Sequence, residues 1–206
     1  MLGVGPDQPC GLRERKKART RASLREHALR LFREQGYQAT TVEQIAAAAE
    51  VSPSTFFRYF PTKEDLVLQD DMDGRMIEAL ERQPASLGPV AAVRAATREV
   101  FASYSAADLA VIQESTALQM TVPEIRARAL DEFARTIKVV GAALAKRAGR
   151  DADDLAVRTT AGAIIGVIIS ITMPWEGEGW SDAKNIEETF RTIDQALAVL
   201  EAGLPI

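Results

Sequence analysis

The run Ser52 to Phe60, SPSTFFRYF, holds the side chains with the most specific chemistry in this sequence. Ser52 followed by Pro53 marks a helix start. The hydroxyl can accept a free backbone N–H, and the proline ring presets φ for the first helical position. On the short helix that follows, Phe56 and Phe60 stand four apart on one side, and Ser54 and Arg58 stand four apart on another. The phenylalanines suit a core. An outward arginine fork suits guanine O6 and N7 in a major groove, so Pro53, Ser54 and Arg58 form a candidate base-reading face. Ser52 and Thr55 belong to the same surface. Phosphate contacts are expected from Lys17 and Arg21, from Thr41 at the start of the preceding helix, and from Tyr59 and Lys63.

Catalytic and metal chemistry have few residues to work with. His27 has no ligand cluster around it in sequence, and the single cysteine is Cys10. Asp70, Asp71 and Asp73 form an acidic run in which only the first and last share a helix face, a poor arrangement for a metal. No glycine-rich phosphate loop or Gly-x-Ser-x-Gly elbow occurs. The expectation is a non-enzyme with no catalytic residue, metal or cofactor.

The elements that must position the base-reading face are helical. Residues 13–35 carry Leu24, Ala28, Leu31 and Phe32 at helical spacing, and Gly36 ends that helix. Thr40 or Thr41 caps a second helix with Val42, Ile45, Ala46 and Ala49 inward, and a turn at Glu50 and Val51 leads to Ser52. Two short helices with a tight turn between them, packed on a longer one, make a helix-turn-helix. Pro61 stops the third helix. Thr62 and Asp65 form a variant capping box for a fourth that is expected to run to about Gln83. Further helices are expected at 90–105, 107–120, 121–149 and 153–173, then a loop from Pro174 to Trp180, then a ninth helix capped by Ser181. The fold class is therefore all-α, in about nine helices. The expected organisation is a disordered tail at 1–11, a DNA-binding domain at 12–62, and a bundle at 63–206 for ligand binding and dimerisation.

Charge agrees with that division. The 206 residues carry a net charge of −4, with 47% hydrophobic and 26% charged side chains. Residues 1–66 hold 11 Lys/Arg against 8 Asp/Glu, and the remainder holds 14 against 21. A basic end on an acidic body points to a polyanion partner met at one end. No secretory signal is visible, and the apolar stretch from Ala161 to Met173 falls short of the roughly 20 residues of a membrane span. A cytoplasmic protein with no membrane contact is expected.

Residues 20–66, above all GYQATTVEQIAAAAEVSPSTFFRYFPTKEDL from Gly36 to Leu66, resemble the DNA-binding domain of the TetR family of bacterial regulators. The resemblance implies an all-α homodimer on palindromic operator DNA, most often a repressor, released when a small molecule binds the C-terminal domain. Two positions depart from the family pattern. Glu50 stands where Gly is usual in the turn, and Phe57 stands where a Tyr usually gives its hydroxyl to a phosphate. Phe57 is expected to pack against the sugar-phosphate backbone or the core instead.

In the C-terminal part, Met72, Met76, Phe101, Tyr104, Ile112, Met120, Phe133 and Ile137 are expected pocket walls, with Gln113 turned inward among them. The effector expected there is apolar or amphipathic. The run SPSTFFRYF is similar to regulators of acyl-CoA-like ligands, which suggests a fatty acyl thioester, with a lipophilic drug as the alternative. Gly162 and Gly166, spaced for close helix approach, and Ile193 and Leu197 on the last helix are the expected dimer contacts.

Overall fold

A computed structural model describes residues 12–68, 72–172 and 186–203; the side chains of Glu14, Asp73 and Leu130 are not among those described. The expected tail with Cys10, the acidic positions Asp70 and Asp71, the loop from Pro174 to Trp180 and the Ser181 cap lie outside the described residues. Among the described residues the chain is helical and has no strand.

The first compact unit ends at Val67 rather than at Thr62. It contains α1 (Leu12–Gln35), α2 (Val42–Ala48), α3 (Pro53–Tyr59) and nearly all of α4 (Lys63–Leu68). The later boundary has a physical cause: Leu66 and Val67 are buried, and Arg25 of α1 donates from Nε to the Leu66 carbonyl at 3.1 Å. The expected Thr62 box is present, with each partner's backbone N–H donating to the other's side chain at 3.1 and 3.2 Å.

The second unit begins at Leu68. It holds α5 (Met72–Arg82), α6 (Pro89–Ala102), α7 (Ala106–Thr121), α8 (Pro123–Ala148), α9 (Leu155–Thr172) and α10 (Ile186–Glu201). The helix expected from Thr62 to Gln83 is described as two stretches, α4 and α5, because residues 69–71 between them are outside the description. Starts and stops follow local chemistry. Pro89 and Pro123 occupy first helical positions, Ser105 and Asp108 form a reciprocal capping box, and Gly149 ends α8 at φ 62°. Asp154 accepts the backbone N–H groups of Ala156 and Val157 at the head of α9.

The core of this unit gathers Leu80, Val93, Val100, Leu144, Ile164, Ile165, Ile193 and Leu197, with small alanines at 79, 92, 96 and 161 between them. Arg147, near the end of α8, donates to the carbonyls of Gln83, Pro84 and Leu87 and so fastens the loop between α5 and α6. Polar contacts join α6 to α10. Arg98 pairs with Asp194 at 2.7 Å, and Arg94 reaches both Asp194 and Glu201.

This packing corrects two expected dimer contacts. Ile193 and Leu197 are 6% and 0% exposed inside one protomer, because the apolar stripe of α10 faces its own core. Val199, 48% exposed, marks the side that α10 leaves uncovered. Gly162 and Gly166 differ: a Cβ added at either would meet nothing within 4 Å. By length and composition α9 could cross a membrane, with a mean hydropathy of 1.8 over Leu155–Thr172. Its 18 residues rise about 27 Å, and Val157, Ala161, Ile164 and Ile165 are buried against the bundle.

Leu197→Ala should therefore cost about 2–5 kcal/mol, the range for a buried leucine cavity. Denaturant unfolding checks this, and a loss below about 1 kcal/mol would mean that Leu197 lies outside the core.

Candidate DNA-binding surface and ligand cleft

The turn between α2 and α3 sets the geometry of the first unit. Thr41, not Thr40, caps α2. Its hydroxyl accepts the Gln44 N–H at 3.2 Å while Gln44 Oε1 accepts the Thr41 N–H at 2.9 Å. Thr40 is buried, and its hydroxyl donates to the Gly36 carbonyl at 2.8 Å. At the other end of α2, the Val51 N–H donates to Ala46 O at 2.9 Å and the Glu50 N–H to Ala47 O at 3.1 Å. This pair of bonds is a Schellman motif, which needs a left-handed residue between helix and exit. Glu50 fills that place at φ 55°, the one non-glycine residue at positive φ among those described.

Ser52 caps α3, its hydroxyl accepting the Thr55 N–H at 3.1 Å and meeting Thr55 Oγ1 at 3.0 Å. Phe56 and Phe60 are fully buried with ring centroids 5.9 Å apart. Their burial turns Ser54 and Arg58 outward, and Pro53 and Phe57 are exposed as well. Phe57 is 52% exposed, with its ring edge-on to Phe56 at 5.4 Å. It is therefore a surface side chain and not part of the core. The Arg58 guanidinium lies over the Tyr59 ring at 5.3 Å. Thr55 and Tyr59 are half-buried, while Lys17, Thr41 and Ser52 are exposed. Arg21 is half-buried and stacks on the Phe60 ring at 5.0 Å.

Lys63 is placed differently from a free phosphate ligand. Its ammonium donates to the carbonyls of Tyr37 at 2.8 Å and Thr40 at 2.9 Å, and lies 3.9 Å from the Tyr37 ring centroid. The Tyr37 hydroxyl donates to Glu64 Oε1 at 2.6 Å. Burial pushes the Glu64 carboxyl up. The Tyr37 bond, its own backbone, Thr62 and the Lys63 charge together bring it below the ordinary carboxylate value. Tyr37 thus ties α4 to the turn between α1 and α2. Its only sequence signal was the Gly-Tyr pair ahead of the threonine cap.

In the second unit a cleft of about 300 Å³ opens between α6 and α10, lined by Thr97, Arg98, Phe101, Glu187, Phe190, Arg191 and Asp194. Phe101 and Phe190 stack at 4.3 Å. Of the expected pocket walls this cleft includes Phe101. Met76, Tyr104, Phe133 and Ile137 instead pack against the apolar core, Met120 is buried, and Met72 and Ile112 are half-buried. Gln113 is exposed rather than turned inward. The apolar residues of α7 occur all round the helix, so the sequence pattern did not mark its outer face. Among the described residues no cluster of His, Cys, Asp or Glu could hold a metal.

These features can be compared with known proteins. Residues 24–69 match the family described as bacterial regulatory proteins, tetR family, and residues 87–205 match the MftR C-terminal domain of that family. The chain belongs to the TetR family. It is similar to the HTH-type transcriptional regulator TcmR of Streptomyces glaucescens, at 40% identity over 72% of this chain and 69% of the relative. It also matches the mycofactocin biosynthesis transcriptional regulator MftR of Mycobacterium tuberculosis, at 23% identity over 78% and 82%. Its fold is shared with FadR of Thermus thermophilus, a repressor solved with lauroyl-CoA, at a TM-score of 0.52 and 23% identity, covering 90% and 95%. The FadR of Bacillus halodurans gives 0.52 and 18% over 99% of both chains. This chain is accordingly a helix-turn-helix, DNA-binding transcriptional regulator of the TetR family.

Two outcomes follow. Glu50→Gly should stabilise the first unit by about 1 kcal/mol, because glycine adopts the left-handed turn without the Cβ penalty. Chemical denaturation checks it, and a destabilised variant would mean that the Glu50 side chain supports the turn. Tyr37→Phe should cost about 1 kcal/mol near neutrality. Glu64 titrates below its ordinary value of 4.5, so its contribution is present above that pH and lost as pH falls through the folded value. The gap between native protein and variant should therefore narrow in acid, and a pH-independent gap would exclude the Tyr37–Glu64 bond as its source.

Proposed function

We propose that this TetR-family protein is a cytoplasmic homodimeric repressor, released from a palindromic operator when a small molecule enters its C-terminal unit. The observation that carries the DNA half is the outward face of α3. Arg58 is exposed and backed by Tyr59, Ser54 stands one turn away, and Phe57 adds an apolar contact for a thymine methyl or a deoxyribose. Lys17, Arg21, Thr41, Ser52 and Thr55 hold the phosphates. Lys63 acts by fixing the turn that carries Thr41, and Tyr59 by supporting Arg58.

Two recognition helices about 34 Å apart read successive major grooves, so the function requires a dimer. The open glycine face at Gly162 and Gly166 supports α9 as the close contact, with the uncovered side of α10 beside it. The effector is an apolar or amphipathic compound, fatty acyl-CoA-like or lipophilic and drug-like. The stacked Phe101 and Phe190, with charged groups around them, support an amphipathic choice. This reading asks no residue to catalyse a reaction.

The test starts from a duplex recovered by selection from random DNA. Arg58→Ala should weaken binding to it by about 1–3 kcal/mol and relax preference at one base position per half-site. An unchanged preference would remove the base contact. Small molecules that co-purify from the native host, identified by native mass spectrometry, should release the bound protein. A complex that none of them loosens would remove the ligand gate.

A further inference from the structure

α1 contains a conflict that its own packing does not resolve. Its buried residues begin at Leu24 and continue with Ala28, Leu29 and Phe32. Ahead of them, residues 12–19 are helical, yet every described side chain in that stretch is exposed. The stretch carries Arg13, Arg15, Lys16, Lys17 and Arg19 against one acid, Glu14. Five cations here crowd the positive end of the helix dipole, where acidic side chains are the favoured ones. Arg13 and Lys17, Arg15 and Arg19, and Lys17 and Arg21 are like charges four residues apart, which destabilises an isolated helix. No burial offsets either effect. Among the described residues none of the five makes an ion pair or a side-chain hydrogen bond, whereas Arg30 farther along pairs with Glu34 at 3.1 Å.

Natural sequences break local rules of this kind at functional positions. The point of departure is fixed by Arg21, stacked on Phe60 at the end of α3. The basic turns therefore leave the fold beside the helix that carries Arg58, with a reach of roughly 13 Å at 1.5 Å per residue.

We propose that residues 12–19 are a basic helical arm that lies along the phosphates flanking the half-site read by α3. The arm has no Asn, Gln, Ser or Thr to read bases, and its cations spread over roughly 200° of the helix circumference, a broad basic face that suits backbone phosphates. A membrane surface fits worse, since Leu12 is the single large apolar residue in the stretch and gives no apolar face to insert. A neighbouring polyanion removes both penalties together, so the arm is stabilised by the complex it helps to form. Lys17 then acts as one of five contacts. The proposal rests on α3 being the base-reading helix.

The experiment uses the full chain with Arg13→Gln, Arg15→Gln, Lys16→Gln, Lys17→Gln and Arg19→Gln combined, glutamine being a good helix former. The probe is a duplex selected from random DNA, prepared with and without about ten flanking base pairs on each side. Each phosphate contact contributes about 0.9 to the slope of log affinity against log salt. The variant's slope should be shallower by roughly two units or more, with its base preference unchanged. Trimming the flanks should weaken the native protein and leave the variant nearly unaffected. A slope equal to the native one, or a changed base preference, overturns the proposal. So does loss of binding to phosphatidylglycerol vesicles with DNA binding intact. Circular dichroism and thermal melting check folding. Should the fivefold variant not fold, Lys16→Gln with Lys17→Gln carries the same test at about two-fifths of the shift. Failure of the native chain to select any duplex would instead defeat the reading of α3.

Discussion

Burial of Phe56 and Phe60 is the interaction on which the DNA-binding unit depends. A seven-residue helix has too few turns to hold itself in water. It exists because two phenyl rings one turn apart are buried in the core of the first unit, where Leu24, Ala28 and Ile45 are buried too. Those rings also fix its rotation. With position 56 inward, positions 54 and 58 lie nearly half a turn away and face out, and Phe57 is exposed beside them. Reading chemistry and packing chemistry are therefore interleaved on one short segment. A substitution that changes the core contact would also re-aim Arg58.

The neighbours of α3 preserve that aim in different ways. Ahead of it, the left-handed Glu50 sets the angle between α2 and α3 at a cost that glycine would avoid. Behind it, Lys63 and Glu64 engage Tyr37, so the start of α4 is pinned to the turn that presents Thr41. A lysine ammonium has three donors, and Lys63 gives two of them to the carbonyls of Tyr37 and Thr40 on either side of that turn. Its charge still adds to the positive field of this end of the chain. Position and field thus come from the same residue.

The sequence made legible what is governed by nearest neighbours. Helix starts at Ser52 and Thr62, the stop at Gly36, the odd turn at Glu50 and the inward phenylalanines each follow from residue types a few positions apart. The choice of Thr41 over Thr40 as cap did not, because both are β-branched hydroxyl residues and only the bond to Gly36 separates them. The bundle was harder to read. Ile193 and Leu197 show an apolar stripe, but a stripe does not say whether it meets its own core or a partner. The cleft is formed by α6 and α10, nearly a hundred residues apart, and most of its lining is charged. Of its two aromatics the expected pocket walls include Phe101 and not Phe190, whose place on the apolar stripe of the last helix pointed to packing, and the charged Arg98 and Asp194 gave no signal. α7 is apolar on all sides, so periodicity could not orient Gln113.

Magnitudes explain why base reading on α3 cannot act alone. Under the proposed reading its outward face offers one bidentate reader, Arg58, with Ser54 and Phe57 exposed beside it. A good bidentate pair discriminates by about 1–3 kcal/mol, whereas specific sites are separated from bulk DNA by about 4–10 kcal/mol. One protomer falls short of that range. Two-fold repetition doubles the base term without any new residue, provided the second unit holds both copies at the spacing of the grooves. Affinity, as distinct from specificity, must come from phosphates, which is the contact that the charge of the first unit suits. On the proposed dimer an effector would have no need to reach α3 to abolish binding: a change in half-site spacing would remove half of the base term and half of the phosphate term together.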